Sequence, residues 1–331
     1  SEVELAKVME TICARRPSPH RDGCESSLGI RSPPLPSVAA LAGGHRKQAG
    51  GTRHDEALLV RARAFLYAAA VRASLRFGAV TAPLTYRSTG VFFSEALALI
   101  GALEATHATH FIESGTASGV STELIARHFA AAPKSRPQLN ITTIDRDQLY
   151  HLFQATTARF HRLFPNVRCL RADSMVRIPA LLDALPDGAR VIVFVDGPKG
   201  ALGLKLLETA LAHPRVVLGA LHDAAPMWST VLHKRMRQHP QHLLHTSDAP
   251  FRTAFGELDT RHSESEVLLA SNRTGPALFS LQEMLRGGPG LWLAGHSNLM
   301  RGEPLHVALG ADRRQLLGLL GTLGSLLRHA V

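Results

Sequence analysis

Phe111-Ile-Glu-Ser-Gly-Thr-Ala-Ser-Gly-Val-Ser-Thr122 decides the reading of this chain. An apolar run ends in Glu113, a turn built on Gly115 and Gly119 follows, and the pattern predicts a helix starting near Val120 with Ser121 and Thr122 in its first turn. Glycines at the turn remove side chains where the backbone bends sharply and where a ligand comes close. Their spacing is G-x-x-x-G and residue 117 is Ala, whereas a dinucleotide turn needs G-x-G-x-x-G. No G-K-[ST] follows, which argues equally against a phosphate-binding P-loop.

The same strand-then-helix rhythm continues on the C-terminal side. Short apolar runs at 110–112, 141–144, 167–170, 191–195 and 216–221 read as strands, and helices are predicted over 120–131, 147–163, 176–185, 201–212 and 227–238. Continuous apolar strands alternating with helices imply a parallel sheet covered on both faces. His242 to Thr246 and Glu266 to Ala270 are expected to complete it as a final pair. The fold class is therefore α/β: a doubly wound, mostly parallel, seven-stranded Rossmann-like sheet.

Flanking segments read differently. Residues 1–53 open with a short helix and then carry Pro17, Pro19, Pro33, Pro34, Pro36 and two Gly pairs, too little apolar surface to offset the entropy of ordering, so a flexible tail is expected. The chain starts at Ser1, as a processed or trimmed product would, yet Glu2, Glu4 and Glu10 do not suit a transit peptide. Residues 54–104 give two helices, 54–77 and about 91–104, read as an N-terminal helical cap. Residues 272–331 form a C-terminal helical extension whose last helix, 312–330, is rich in Leu and weakened by Gly318, Gly321 and Gly324.

Composition narrows the field. With 45% hydrophobic and 19% charged residues over 331 positions the chain can bury a large core without disulfides or structural metal. Its 3 Cys lack any C-x-x-C spacing, which suits a reducing compartment. No apolar run reaches the roughly 20 residues of a membrane-spanning helix. The formal charge of +10 is scattered, which suits attraction to anionic small molecules better than a nucleic-acid surface. His233, His239, His242 and His245 straddle Pro240 without a fixed ligand spacing and read as a solvated basic surface. Gly-x-Ser-x-Gly is absent, so no hydrolase nucleophile is indicated.

Four strand ends carry acids in order: Glu113, Asp145 in Ile141-Thr-Thr-Ile-Asp145, Asp173 in Cys169-Leu-Arg-Ala-Asp173-Ser174, and Asp196 in Val191-Ile-Val-Phe-Val-Asp196-Gly-Pro. With the glycine turn, this set resembles the class I S-adenosylmethionine-dependent methyltransferases over roughly residues 104–270. The resemblance implies that cofactor as ligand. It implies that Glu113, Gly115, Thr116, Gly119 and Ser121 lie at its amino acid end and Asp145 at its ribose hydroxyls. Asp173 and Ser174 would then stand near its adenine, and Asp196 would face both cofactor and substrate. Residues 105–271 thus read as a methyltransferase-like domain.

Asp196-Gly-Pro-Lys199 and Leu221-His222-Asp223-Ala-Ala-Pro-Met-Trp228 are similar to a narrower group, the metal-dependent O-methyltransferases of caffeoyl-coenzyme A and catechol type, with related sugar O-methyltransferases and cephalosporin-hydroxylase-like proteins. That likeness implies a divalent cation such as Mg2+ on Asp196, His222 and Asp223, lowering the pKa of a substrate hydroxyl. His222 stands where an acid is commoner, a departure that shifts the donor set toward transition ions. Without a metal, His222 or Lys199 would be the general base; Lys199 would need a strongly depressed pKa, so His222 is preferred. Tyr86, Arg87, Met227 and Trp228 are candidates for the pocket wall.

The reading is a methyltransferase acting on a hydroxyl of a small molecule, in the cytoplasm or an organellar lumen. An alternative is a non-catalytic methyltransferase-like subunit of a larger assembly, gripping a partner protein or a second copy through its C-terminal helix. RNA methylation is disfavoured because no Asn/Asp-Pro-Pro-Tyr tetrapeptide follows the fourth strand.

Overall fold

The structure, a computed structural model, describes residues 59, 62–74, 91–132, 138–146, 150–225, 229–239, 241–248, 251–255, 259 and 290–295. Seven strands form one sheet: β1 His110–Ser114, β2 Asn140–Asp145, β3 Val167–Arg171, β4 Val191–Val195, β5 Val216–Leu221, β6 His242–His245 and β7 Trp292–Gly295. Their spatial order is β3-β2-β1-β4-β5-β7-β6. The first five run parallel, whereas β7 is antiparallel to both β5 and β6. The expected doubly wound, mostly parallel sheet is present.

Helices separate cleanly between the two faces. One face carries α1 (62–74), α2 (Phe93–Ala105), α3 (Val120–Ala130) and α4 (Tyr150–Leu163), packed on Phe111, Ile141, Ile192, Phe194 and Leu218. The other carries α5 (Ser174–Ala184), α6 (Gly200–Leu211) and α7 (Thr230–Gln238), packed on Ile112, Ile144, Val193 and Val195. The split follows the two-residue side-chain period of a strand, so that Val-Ile-Val-Phe-Val in β4 feeds both cores and is buried throughout.

The expected cap helix at 54–77 is seen over 62–74, and that at about 91–104 is α2. All thirteen residues of α2 are buried, as a helix apolar nearly all round must be. Gly101 lets its backbone meet that of α1, because a Cβ there would stand 2.6 Å from Ala70 N. From α1, Arg63 Nε donates to Leu243 O at 2.6 Å and ties the cap to β6. The cap is therefore part of the main core, which fixes the position of every side chain on α2.

One strand lies where the sequence placed none. Among the described residues the seventh strand is Trp292–Gly295, inside the stretch read as a C-terminal extension, while 266–270 lies outside the described residues. Trp292 is fully buried and its Nε1 donates to His242 Nδ1 at 2.8 Å, so the aromatic anchors a run too short to announce itself. Residues 1–53, read as a tail, Tyr86, Arg87, Met227, Trp228 and residues 312–330, read as a helix, also fall outside the described residues. Among the described residues no helix is long and apolar enough to cross a membrane.

Candidate active site

The chain reverses its direction of winding at β1 and β4: β2 and β3 lie on one side of β1, and β4 and β5 on the other. In such sheets ligands bind outside the carboxyl ends of the strands at this switch point. Here the loops after β1 and β4 touch. Asp196 N and Gly197 N donate to Ser114 O at 2.8 and 3.0 Å, and Ser114 Oγ donates to Gly197 O. Gly115 has φ +98°, and a Cβ on it would stand 2.9 Å from Gly197 N and 3.1 Å from the carbonyl carbon of Asp196. Gly119, φ +73°, is the cap residue of α3 and sits against Thr156 and Phe160. Both glycines are thus demanded by the protein's own backbone and packing at the crevice.

Glu113 lies beneath this turn, fully buried. Its carboxylate accepts from Ser121 and Thr122 in the first turn of α3 and from Thr143 Oγ1 of β2 at 2.6 Å, while Thr116 Oγ1 is 2.6 Å from Thr143 Oγ1. Burial pushes its pKa up to about 7 against the opposing pull of the three hydroxyls, with the Asp196 charge adding to the rise. Glu113, Thr116 and Ser121 therefore brace one another inside the protein. Thr143, which completes this network, was not signalled by sequence, since a Thr within a buried strand is ordinary β material.

Asp145 takes a different position. Its Oδ2 accepts the Ala117 N–H at 2.8 Å, holding the turn, and its Oδ1 takes no hydrogen bond from the described residues. Ala117 itself has φ +43°, the left-handed conformation where a glycine was absent from the pattern. Asp173 caps α5, accepting from Met175 N at 2.9 Å, with Arg146 Nη1 3.4 Å from its other oxygen. Ser174 is the first residue of that helix and is buried.

Asp196, Lys199, His222 and Asp223 do come together, at the tips of β4 and β5 and the start of α6. Lys199 Nζ is 2.5 Å from Asp196 Oδ1 and 2.5 Å from Asp223 Oδ2. His222 Nδ1 is 2.6 Å from Asp196 Oδ1 and 3.6 Å from Asp223 Oδ1. A fifth member comes from the cap: Glu95 of α2, whose Oε2 is 3.1 Å from His222 Nε2 and accepts the Phe92 N–H at 2.7 Å. The signal for Glu95 was a charge in the first turn of a mostly apolar helical run. Its partner lies too far along the chain to be named from sequence.

Electrostatics follow from these distances. Burial alone would lower the His222 pKa, but Asp196 and Glu95 outweigh it and hold the ring well above the ordinary histidine value. Lys199 is likewise raised, burial notwithstanding, by Asp196 and Asp223. Burial would lift Asp196, yet His222 and Lys199 hold it well below the ordinary carboxylate range. Neither Lys199 nor His222 is thus poised as a proton acceptor in this arrangement. Lys199 in particular moves opposite to the depressed value a lysine base requires.

The histidines expected on a solvated surface are instead structural. His242 and His245 are buried, and Ala224 O accepts from both His245 Nε2 and His233 Nδ1 at 3.0 Å. Ala224 N donates to Gly290 O at 2.9 Å, and Gly290, φ +74°, approaches both His245 and Ala225. These contacts clamp the loop that presents His222 and Asp223, where Asp223 holds φ +54°. Burial drives the His245 pKa down to about 3.

Fold and site together define a doubly wound α/β protein with a glycine turn and a charged cluster flanking its switch point. No protein-family model matches the chain, and no curated protein matches it in sequence. Among solved structures it is similar to the O-methyltransferase TomG of Streptomyces achromogenes, involved in tomaymycin synthesis and solved in complex with SAM, at 18% identity over 69% of this chain and 88% of that one, with a TM-score of 0.36. A protein of Staphylococcus aureus described as a caffeoyl-CoA O-methyltransferase matches at 15% identity over 49% and 78% of the two chains, TM-score 0.34. Another from Klebsiella pneumoniae, described as an O-methyltransferase, matches at 17% identity over 72% and 89%, TM-score 0.32. At these scores the likeness assigns neither activity nor site residues.

Proposed function

We propose that the protein is an S-adenosylmethionine-dependent methyltransferase acting on a hydroxyl of a small molecule. The observation that carries this reading is the meeting of Gly115 and Asp196 at the switch point, with Asp145 beside them offering Oδ1. A half-buried aspartate with one carboxylate oxygen that takes no hydrogen bond from the described residues suits a ribose hydroxyl. Bound there, S-adenosylmethionine supplies a methyl group on a cationic sulfur.

The chain's own residues supply the rest. Three carboxylates, Glu95, Asp196 and Asp223, face two cations, Lys199 and His222, so the cluster sums to one negative charge and favours a cationic ligand nearby. Lys199, with a third N–H beyond the two that face Asp196 and Asp223, can hold an acceptor oxygen, and the fixed charge of His222 beside it helps stabilise the negative charge that oxygen gains, while its proton passes to Asp223 and on to solvent. This replaces a histidine or lysine base by a pair of fixed cations. Asp196, His222 and Asp223 also have side-chain N and O atoms within 4.8 Å of one another, the spacing of a divalent-ion site.

Calorimetric titration of the full chain with S-adenosylhomocysteine tests the reading. Saturable binding, weakened at least about tenfold by Asp145→Asn through loss of a charged hydrogen bond, is expected. Absence of binding by folded protein defeats it.

A further inference from the structure

The cluster that could take a divalent ion is already supplied with a cation. Asp196 and Asp223, the two carboxylates of that set, each place an oxygen, Oδ1 and Oδ2 respectively, 2.5 Å from Lys199 Nζ. His222, the third ligand of the set, has both ring nitrogens turned to carboxylate oxygens, Asp196 at 2.6 Å and Glu95 at 3.1 Å. A ring donating from both nitrogens has no lone pair to give a metal. Admitting a divalent ion would require the ammonium to leave and the imidazole to drop a carboxylate. The donor set therefore has the spacing of a metal site with an ammonium already seated on two of its carboxylates.

Lys199 is placed for this by the local chain. Asp196-Gly-Pro-Lys199 turns directly from β4 into α6, Lys199 being the cap residue with extended backbone before Gly200. Its side chain is 53% exposed, yet the ammonium rests on two carboxylates from successive strand tips. An ammonium carries the same kind of point charge as an ion and adds three directional donors, of which these two oxygens use two.

We propose that Lys199 is the resident cation of this site, its ammonium standing in the place of a divalent ion, so that the wild-type cluster binds no metal. The inference rests on the proposed function only for why a cation is useful there. Full-length protein is titrated with Mn2+ near neutral pH and free ion followed by electron paramagnetic resonance, with the same preparations titrated with S-adenosylhomocysteine. Wild type is expected to show no saturable Mn2+ site up to about 1 mM, the range of weak natural cation sites. Lys199→Ala, or Lys199→Gln should the first not fold, is expected to acquire a site at least about tenfold tighter that Asp196→Asn abolishes.

Saturable Mn2+ binding by wild type that Asp196→Asn removes overturns the proposal, as does a folded Lys199 variant that binds no Mn2+. Loss of S-adenosylhomocysteine binding with the expected Mn2+ pattern defeats the proposed function alone. Retained binding with a wild-type Mn2+ site defeats the Lys199 assignment alone.

Discussion

His222 Nε2 lies 3.1 Å from Glu95 Oε2, joining the tip of β5 to the cap helix across 127 residues. The side chains are 7% and 2% exposed, so the pair sits where solvent screening is weak. This contact makes the cap helix part of the charged cluster rather than a cover over it.

Glu95→Gln keeps the shape and removes the charge. Breaking one side of a buried ion pair leaves His222 facing one carboxylate fewer, and a loss of about 3 kcal/mol is expected. Because the folded His222 pKa lies well above 6.5, its pairing stabilises fully below that value and the contribution is lost as pH rises through the folded pKa. Urea midpoints between about pH 6 and about pH 9 should therefore fall with pH in wild type and fall less in the variant. Identical slopes would remove Glu95 from the account of His222.

Glu113 gives the opposite kind of linkage to an ordinary paired acid. Its pKa stands at about 7 when folded against 4.5 unfolded, so the folded state holds a proton that the unfolded chain has released. Stability from this group is complete below pH 4.5 and declines up to about pH 7, by about 3 kcal/mol for a gap of that size. Glu113→Gln should flatten this decline in thermal melts. A variant melting curve parallel to wild type across the window contradicts a Glu113 carboxyl raised by burial.

His245 acts on the acid side. Burial lowers it from 6.5 to about 3, so the unfolded chain binds a proton first and stability is lost as pH falls below 6.5. The full effect is on the order of 5 kcal/mol. His245→Gln retains a donor for Ala224 O and should reduce the acid-side loss while leaving the neutral-pH fold intact. An unchanged acid-side slope in scanning calorimetry would show that the ring is not held neutral by burial.

Two glycines separate strain from collision. A Cβ on Gly188, φ +82°, would meet nothing within 4 Å, so Gly188→Ala should cost about 1 kcal/mol of backbone strain alone. Gly115→Ala adds backbone contacts at 2.9 and 3.1 Å and is expected to cost roughly 3 kcal/mol. It should also weaken S-adenosylhomocysteine binding, because the loop carrying Asp196 must shift. Equal costs in denaturant melts would mean that the two loops do not meet at the switch point.

Adjacent residues carried enough to show the sheet, its helices and the acids at successive strand tips. Alternation of apolar runs, the Gly115 and Gly119 turn and Asp145 at the end of β2 are local features, and local chemistry is what neighbouring residues can express. The order of β6 and β7 was hidden, because Trp-Leu-Ala-Gly is a weak strand by propensity and is held by Trp292 packing and the bond to His242. Partnership of the charges was hidden for the same reason. Only the fold brings Glu95 to His222, turns Glu113 inward onto three hydroxyls and sets Lys199 between Asp196 and Asp223. Residue type states which charges exist, but the energy of a charge depends on what stands within a few ångströms of it, and packing across distant segments decides that.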